Sequence, residues 1–307
     1  NHAHILSAIL GQTINAFILF VLNFLDLNPY IVGTTRKKLN QEQMRKIRIP
    51  LPPLAEQQKI AEMLSRVHAA IQKTDEVIAK TERLKQGLMQ ELLTKGIGHK
   101  EFKDTEIGRI PKTWQIVKVG DIAETSSGGT PSRSKKEYFG GSIPWVKSGE
   151  LKDNFIYDAE EKITDEGLRN SAAKIFPKGT LLIAMYGATV GKTGILAIDA
   201  TTNQAICAIL PKDKVFDSKF LRDYLVFRRG QLIALSAGGA QPNISQEIIR
   251  TAKIALPALP EQRRVAEVLS TVDKKLELEK NEKARLERIK QGLMHLLLSG
   301  KIRIKVD

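Results

Sequence analysis

The sequence predicts an α+β protein: a mixed α/β head with many short strands, carried on two long helices packed as an antiparallel coiled coil. Three observations point there. A segment near the start is written again near the end at a constant offset of 205 residues. The copied part has helical periodicity, and the copies stand too far apart for a solenoid, whose units repeat every ~20–50 residues. Between them lie short β-rich runs broken by Gly, Pro and Asp, the signature of short strands and turns.

The repeat can be read residue by residue. Ile49-Pro50-Leu51-Pro52-Pro53-Leu54-Ala55-Glu56-Gln57 returns as Ile254-Ala255-Leu256-Pro257-Ala258-Leu259-Pro260-Glu261-Gln262. Leu84-Lys85-Gln86-Gly87-Leu88-Met89 returns as Ile289-Lys290-Gln291-Gly292-Leu293-Met294. Upstream, Gly33 and Leu39-Asn40-Gln41-Glu42 match Gly238 and Ile244-Ser245-Gln246-Glu247. Further upstream, at a slightly different offset, Asn1–Leu6 resembles Asn203–Ala208, and Phe17–Phe24 corresponds to Phe220–Phe227. Residues 1–48 therefore read as the last third of a head whose complete version spans about 107–253. The first residue is Asn rather than Met and the chain opens in mid-pattern, so a natural N-terminal part is expected to be missing.

Each long helix leaves a Pro-rich exit from a short strand, and Pro260 suits a first helical turn. In the first copy Ile60, Leu64, Val67, Ile71, Ile78, Leu88 and Leu92 follow steps of three and four. The second copy places Val265, Leu269, Val272, Leu276, Leu286, Leu293 and Leu297 on the same grid. One apolar seam under a polar sleeve is the pattern of a coiled coil. Thr74 and Thr81 interrupt the first seam, and Glu279 and Lys283 the second, as register-setting polar residues do. A helix of about 40 residues is roughly 60 Å long, and the nearest matching stripe for each is the other copy. The competing reading packs each helix on its own head.

Within the head, Gln115–Val119, Ile143–Val146, Thr180–Ala184, Gly194–Ile198 and Ala205–Leu210 read as strands, and Ser218–Leu235 as a helix. Two loops are rich in small and polar residues: Ser126–Lys136 and Ala237–Asn243. Near the start, Ile14–Leu27 is apolar but short and carries Asn15, Asn23 and Asp26. A spanning helix needs about 20 apolar residues, so a buried core helix is predicted, with no membrane as partner.

The chain has 307 residues, 42% hydrophobic and 27% charged, with a formal charge of +14. That suits about two folded domains and a polyanionic partner, although a solvated basic surface would carry the same charge. A lone cysteine, Cys207, excludes an internal disulfide and a thiolate zinc cluster, in keeping with a cytoplasmic protein. The five histidines show no metal-ligand spacing beyond His2-x-His4, so no metal is expected.

Two apparent motifs fail on spacing. Gly187-Ala188-Thr189-Val190-Gly191-Lys192-Thr193 has three residues before Gly-Lys where a phosphate loop needs four, and a strand rather than a helix pattern follows. It reads as a turn between strands. Asn28-Pro29-Tyr30 lacks the second proline of an adenine-methyltransferase signature and reads as a turn. No nucleophile elbow, zinc helix or Cys–His pair is present, so neither a catalytic centre nor a bound cofactor is expected.

Nucleic-acid contacts are easier to nominate. Arg133, Lys135, Lys136 and Lys147 cluster around Tyr138 and Trp145, between glycines that allow close backbone approach. Lysines on such loops suit phosphates, while Arg133, Gln241 and Asn243 are candidates for base edges. Ser127, Thr130, Ser132, Thr189 and Lys192 complete the candidate set. The alternative is that Trp145 is core and the lysines only solubilise a loop.

Several phrases, in order, resemble the specificity (S) subunit of type I restriction–modification systems. They are Ile107–Trp114, Ser127-Gly128-Gly129-Thr130-Pro131, Ile143-Pro144-Trp145-Val146, Tyr186–Lys192 and Thr202-Asn203-Gln204-Ala205. Leu256-Pro257-x-Leu259-x-Glu261-Gln262 and Lys290–Met294 complete the set. The resemblance implies target recognition domains, each reading one half of a split DNA site, separated by two helices whose length fixes the gap. It implies a non-catalytic subunit that binds double-stranded DNA and recruits methyltransferase (M) and restriction (R) subunits. S-adenosylmethionine, ATP and Mg2+ would then belong to those partner chains. On this reading residues 1–48 are the remnant of a first recognition domain and 49–98 the first helical region. Residues 99–253 are the complete recognition domain, and 254–307 the second helical region and tail. With the first domain short, such a chain reads one half-site or restores two heads as a homodimer. Two rivals are a fused methyltransferase or endonuclease with its own active site, and a coiled-coil adaptor binding no particular sequence.

Overall fold

The computed structural model describes residues 4–33, 37–212, 215–235 and 243–305. Three helices come first: α1 (Asn15–Phe24), α2 (Gln41–Arg45) and α3 (Leu54–Leu92). The head opens with β1 (Phe102–Thr105), β2 (Gly108–Pro111), β3 (Gln115–Lys118), α4 (Val119–Ile122) and β4 (Ala123–Ser127). Next come β5 (Phe139–Val146), β6 (Asn154–Ile156), β7 (Glu161–Ile163), α5 (Asp165–Arg169), β8 (Leu181–Ala184) and β9 (Thr193–Leu196). After β10 (Thr201–Thr202) and β11 (Ile206–Pro211) follow α6 (Ser218–Phe227), α7 (Arg229–Ala234) and α8 (Gln246–Thr251). The chain closes with β12 (Lys253–Leu256) and α9 (Leu259–Leu298).

Two compact units form: Asn1–Glu82 with Lys274–Asp307, and Arg83–Asp273. In the first, α3 and α9 run antiparallel. Lys280 pairs with Glu82 at 2.9 Å, Lys283 with Asp75 at 2.7 Å, and Lys290 Nζ lies 3.4 Å from His68 Nδ1. Partner numbers rise on one helix as they fall on the other. Along the two helices Ile60, Leu64, Ile71 and Leu276 are buried, and Val67, Ile78, Leu286 and Leu293 are half-buried. The seam-breaking Thr81 is itself buried, and Thr74 returns its hydroxyl to the Ala70 carbonyl at 2.9 Å. The apolar face of α1 (Phe17, Phe20, Val21) joins Ile60, Ala61, Leu64, Met294, Leu297 and Leu298 in one core.

The second unit repeats that arrangement. Met89 and Leu93 pack with Val265, Leu269 and the α6 residues Phe220, Leu221, Tyr224 and Leu225, Val272 is buried, and Lys85 pairs with Asp273 at 2.5 Å. At both ends the deepest burial sits one residue past the expected seam position. Met89 and Met294 are buried where Leu88 and Leu293 are half-buried. The reason is the third helix, α6 or α1, which widens the apolar stripe toward its own side.

Five strands form the main sheet, in order β4-β11-β8-β9-β6, antiparallel except for β6 beside β9. Side chains alternate between two cores, as a period of two requires. Leu181, Ile183, Cys207 and Ile209 face the helical core, while Leu182, Ala184, Ile206 and Ala208 face a second one with Val146, Leu151 and Phe176. Burial on both faces explains why these strands read as continuous apolar runs. A three-stranded sheet β10-β5-β7 and the pairs β12-β3 and β1-β2 complete the head. All five strands expected from sequence are present. The helix expected over Ser218–Leu235 breaks into two at Arg228, whose ψ of 4° leaves the helical range.

Candidate nucleic-acid interface

Strand β4 leads into Ser127-Gly128-Gly129-Thr130-Pro131, which the two glycines let run hard against its neighbours. A Cβ on Gly128 would stand 2.1 Å from Thr202 Oγ1, and one on Gly129 would stand 2.2 Å from the Ala172 carbonyl carbon. Gly129 N donates to Thr202 O at 2.9 Å, and its own carbonyl accepts from Trp145 Nε1 at 2.9 Å. Trp145 is buried, so it is core and supports the loop from beneath. Ser127 Oγ donates to Gln246 Oε1 at 3.2 Å, and Thr130 Oγ1 bonds Gln204.

The following loop presents its cations over aromatic rings. Arg133 stacks on Phe139 and Trp145, with its guanidinium carbon 4.5 Å and 4.9 Å from the ring centroids. Lys135 Nζ donates to Tyr138 Oη at 2.9 Å and lies over that ring, a contact that raises its pKa. Tyr138 itself is buried and supports Lys135 from beneath. Ser132 shares a hydrogen bond with Ser134, and Lys136 is exposed. Lys147 reaches Glu161 at 2.9 Å and Glu160 at 3.1 Å, and both carboxylates raise its pKa.

The false phosphate loop is a hairpin turn joining antiparallel β8 and β9. Thr189 Oγ1 donates to Ser148 O at 2.9 Å. Lys192 is tied to Asp153 at 2.9 Å. Asp153 also accepts from Thr193 N and Oγ1, at 3.0 Å and 3.1 Å, and from Arg229. It sits at φ 62°, a strained value for a non-glycine. Burial pulls its carboxyl upward, but the Thr193 amide, Lys192 and Arg229 outweigh burial and hold it below the ordinary value. Asn243 pairs with Tyr186 across an isolated antiparallel bridge. Gln241 lies outside the described residues.

The head thus holds nominated residues in two stretches: the segment from Ser127 to Lys147, which includes Trp145, and the β8–β9 connection with Thr189 and Lys192, where Asn243 bridges to Tyr186. Sequence reasoning missed the residues that hold them. Glu161 binds Arg133 and Lys147; Asp153 binds Lys192; Gln246 Nε2 donates to Thr125 O at 2.9 Å while its Oε1 accepts from Ser127 Oγ. Lys174, whose Nζ donates to Ser126 Oγ at 3.1 Å, is a further exposed cation beside the loop. Gln246 lay within the repeat and could have been found. The partners Glu161 and Asp153 come from distant segments and gave no local signal. Among the described residues no group of three or more acidic, His or Cys side chains could hold a metal. Burial pushes the Cys207 thiol up to about 12, which removes it as a nucleophile.

Known proteins resemble this chain in sequence and fold. The chain is 32% identical over 283 residues to the type I restriction enzyme MjaVIII specificity subunit of Methanocaldococcus jannaschii, covering 89% of this chain and 66% of that one. It is 36% identical over 200 residues to the MjaIX specificity subunit of the same organism, covering 62% of this chain and 44% of that one. The chain thus spans two thirds or less of the length of these curated relatives. Its fold matches the solved S subunit of a type I restriction–modification system from M. genitalium, with a TM-score of 0.65 and 16% identity, over 92% of this chain and 72% of that one. The family model for the type I restriction modification DNA specificity domain matches residues 1–83 and 111–288. Those segments hold both copies of the Glu-Gln helix start and nearly all of the loop-bearing head, and by that match the chain belongs to the type I restriction modification DNA specificity domain family.

Proposed function

We propose that this chain is the DNA-reading, non-catalytic specificity subunit of a type I restriction–modification complex. The family match across both helix copies and the head carries the reading. A formal charge of +14 suits a polyanion, and the head exposes Lys135, Lys136 and Lys174 around one loop. In this reading lysines set the head on the phosphates while Arg133 and Asn243 meet base edges. The chain works in the cytoplasm, on double-stranded DNA. Among its described residues no helix is long and apolar enough to cross a membrane.

Methyltransferase and restriction subunits supply the chemistry, with S-adenosylmethionine, ATP and Mg2+ bound on those chains. One surface feature supports a partner present in two copies. Exposed apolar side chains recur at the repeat offset: Met63 with Val268, and Leu84 with Ile289. Each compact unit carries one member of each pair. Two copies of one methyltransferase subunit would each find the same stripe.

The test is adenine methylation of DNA from cells carrying the partner subunit genes, with and without this gene. A defined motif that appears only with this gene is expected. A split motif indicates two different heads in the complex, and a palindromic one indicates paired copies of this chain. Methylation without a motif, or a motif that persists without the gene, overturns the reading.

A further inference from the structure

Two cations nominated for DNA end on one carboxylate. Arg133 Nη1 donates to Glu161 Oε2 at 2.6 Å and Nη2 to Oε1 at 3.3 Å. Lys147 Nζ donates to Glu161 Oε1 at 2.9 Å and to Glu160 Oε2 at 3.1 Å. The Arg133 guanidinium is held from another side by the Phe139 and Trp145 rings. Arg133 and Lys147 thus face two carboxylates, which offset their two positive charges on a strongly basic chain. Arg133 and Lys147 hold the Glu161 carboxyl below its ordinary pKa, so it stays charged at neutral pH.

A flexible surface ion pair would contribute little. This one has the two-pronged geometry of Arg with a carboxylate or phosphate, and stacking fixes the plane of the fork. Two acceptors side by side are also what a guanine edge offers to Arg. Glu161 therefore occupies the donors that DNA would use.

We propose that Glu161 is a specificity-determining residue. It is an internal anion that keeps Arg133 and Lys147 neutralised off DNA and yields them only to a duplex whose acceptors replace both of its oxygens. The inference rests on the DNA-reading assignment above. A phosphate that merely passes by must displace an anion already in place, so sequence-independent binding is suppressed. A base edge that takes both guanidinium hydrogens makes up the exchange.

The experiment compares wild type with Glu161→Gln, each assembled with methyltransferase subunits. Both are titrated with a duplex carrying the methylated motif and with a random duplex of equal length, across a salt series. Each freed cation that meets a phosphate steepens the slope of log affinity against log salt by about 0.9. For Glu161→Gln the random-duplex slope should therefore steepen by about 1–2, with random-duplex affinity rising about 3–10-fold at moderate salt. Cognate affinity should change less, so the specificity ratio falls. Glu160→Gln, which touches Lys147 alone, should steepen the slope by less. Unfolding midpoints check that the variants are folded. If Glu161→Gln does not fold, Glu161→Asp, whose shorter side chain pulls the carboxylate back from the fork, is measured the same way. An unchanged slope and ratio in a folded Glu161 variant overturns the proposal. A wild type that binds both duplexes equally overturns the DNA-reading assignment instead.

Discussion

Gln57 and Gln262 make the same two hydrogen bonds at two places in the chain. Each is fully buried. Gln57 Nε2 donates to Pro52 O at 2.8 Å and Gln12 O at 2.9 Å; Gln262 Nε2 donates to Pro257 O at 2.9 Å and Val215 O at 3.2 Å. The preceding glutamates are also used alike, each tying down the segment that follows the opposite long helix. Glu56 accepts from Arg303 and from Ile304 N, while Glu261 accepts from Ile97 N, His99 and Trp114 Nε1. Gln262 alone has a third bond, from Asp217 N at 2.9 Å. Replacing Gln262 with Leu strands buried polar groups, a loss of about 1–3 kcal/mol. Gln57→Leu should cost less, because Gln57 Oε1 is buried without a partner. Urea midpoints of the two variants check the order.

Buried and exposed apolar residues on the same helices should separate stability from assembly. Leu269 is fully buried in the seam, and Leu269→Ala should destabilise by about 2–5 kcal/mol. Leu84→Ser, at a half-exposed position, should stay within about 0.5 kcal/mol yet weaken capture of the methyltransferase subunit. Chemical denaturation and sedimentation with that subunit measure the two effects.

A buried carboxylate gives a pH signature. Burial pushes Asp223 up to about 6, against the pull of the adjacent Arg222. Between its ordinary value of 3.8 and about 6 the folded chain therefore holds more protons than the unfolded one. Stability then falls as pH rises through that window and recovers as pH drops. Asp223→Asn should flatten this slope, while Arg222 keeps its bond to Asp273 at 3.2 Å. Denaturation midpoints from pH about 4 to 7 read it out.

The loops should divide by role. Lys135→Gln with Lys136→Gln should weaken binding to cognate and random duplexes alike and lower the salt slope by about 1–2. Asn243→Ala should leave the slope alone and relax choice at one base position, at about 1–3 kcal/mol. Competition binding against single-base variants of the motif separates the two.

What could be read from sequence was what depends on local spacing. The three-and-four rhythm gave both long helices and their antiparallel seam, because a helix repeats its burial every few residues. The strand runs were legible because β8 and β11 are buried on both faces. Strands β6 and β7 are three residues each and carry no pattern long enough to read. The break at Arg228 follows from tertiary contacts: its guanidinium donates to Ile107 O at 2.6 Å. Cations on the loops were visible as a composition, but their partners Glu161 and Asp153 lie elsewhere in the chain and meet them only after folding.

In the proposed function the head selects the DNA sequence while the helices serve assembly. Exchanging residues 107–253 for the matching head of a relative, and then mapping adenine methylation in cells with the same partner subunits, tests it most directly. The half of the motif belonging to this head should change to the donor's, with the spacing between halves unchanged. A motif identical before and after the exchange would contradict the account.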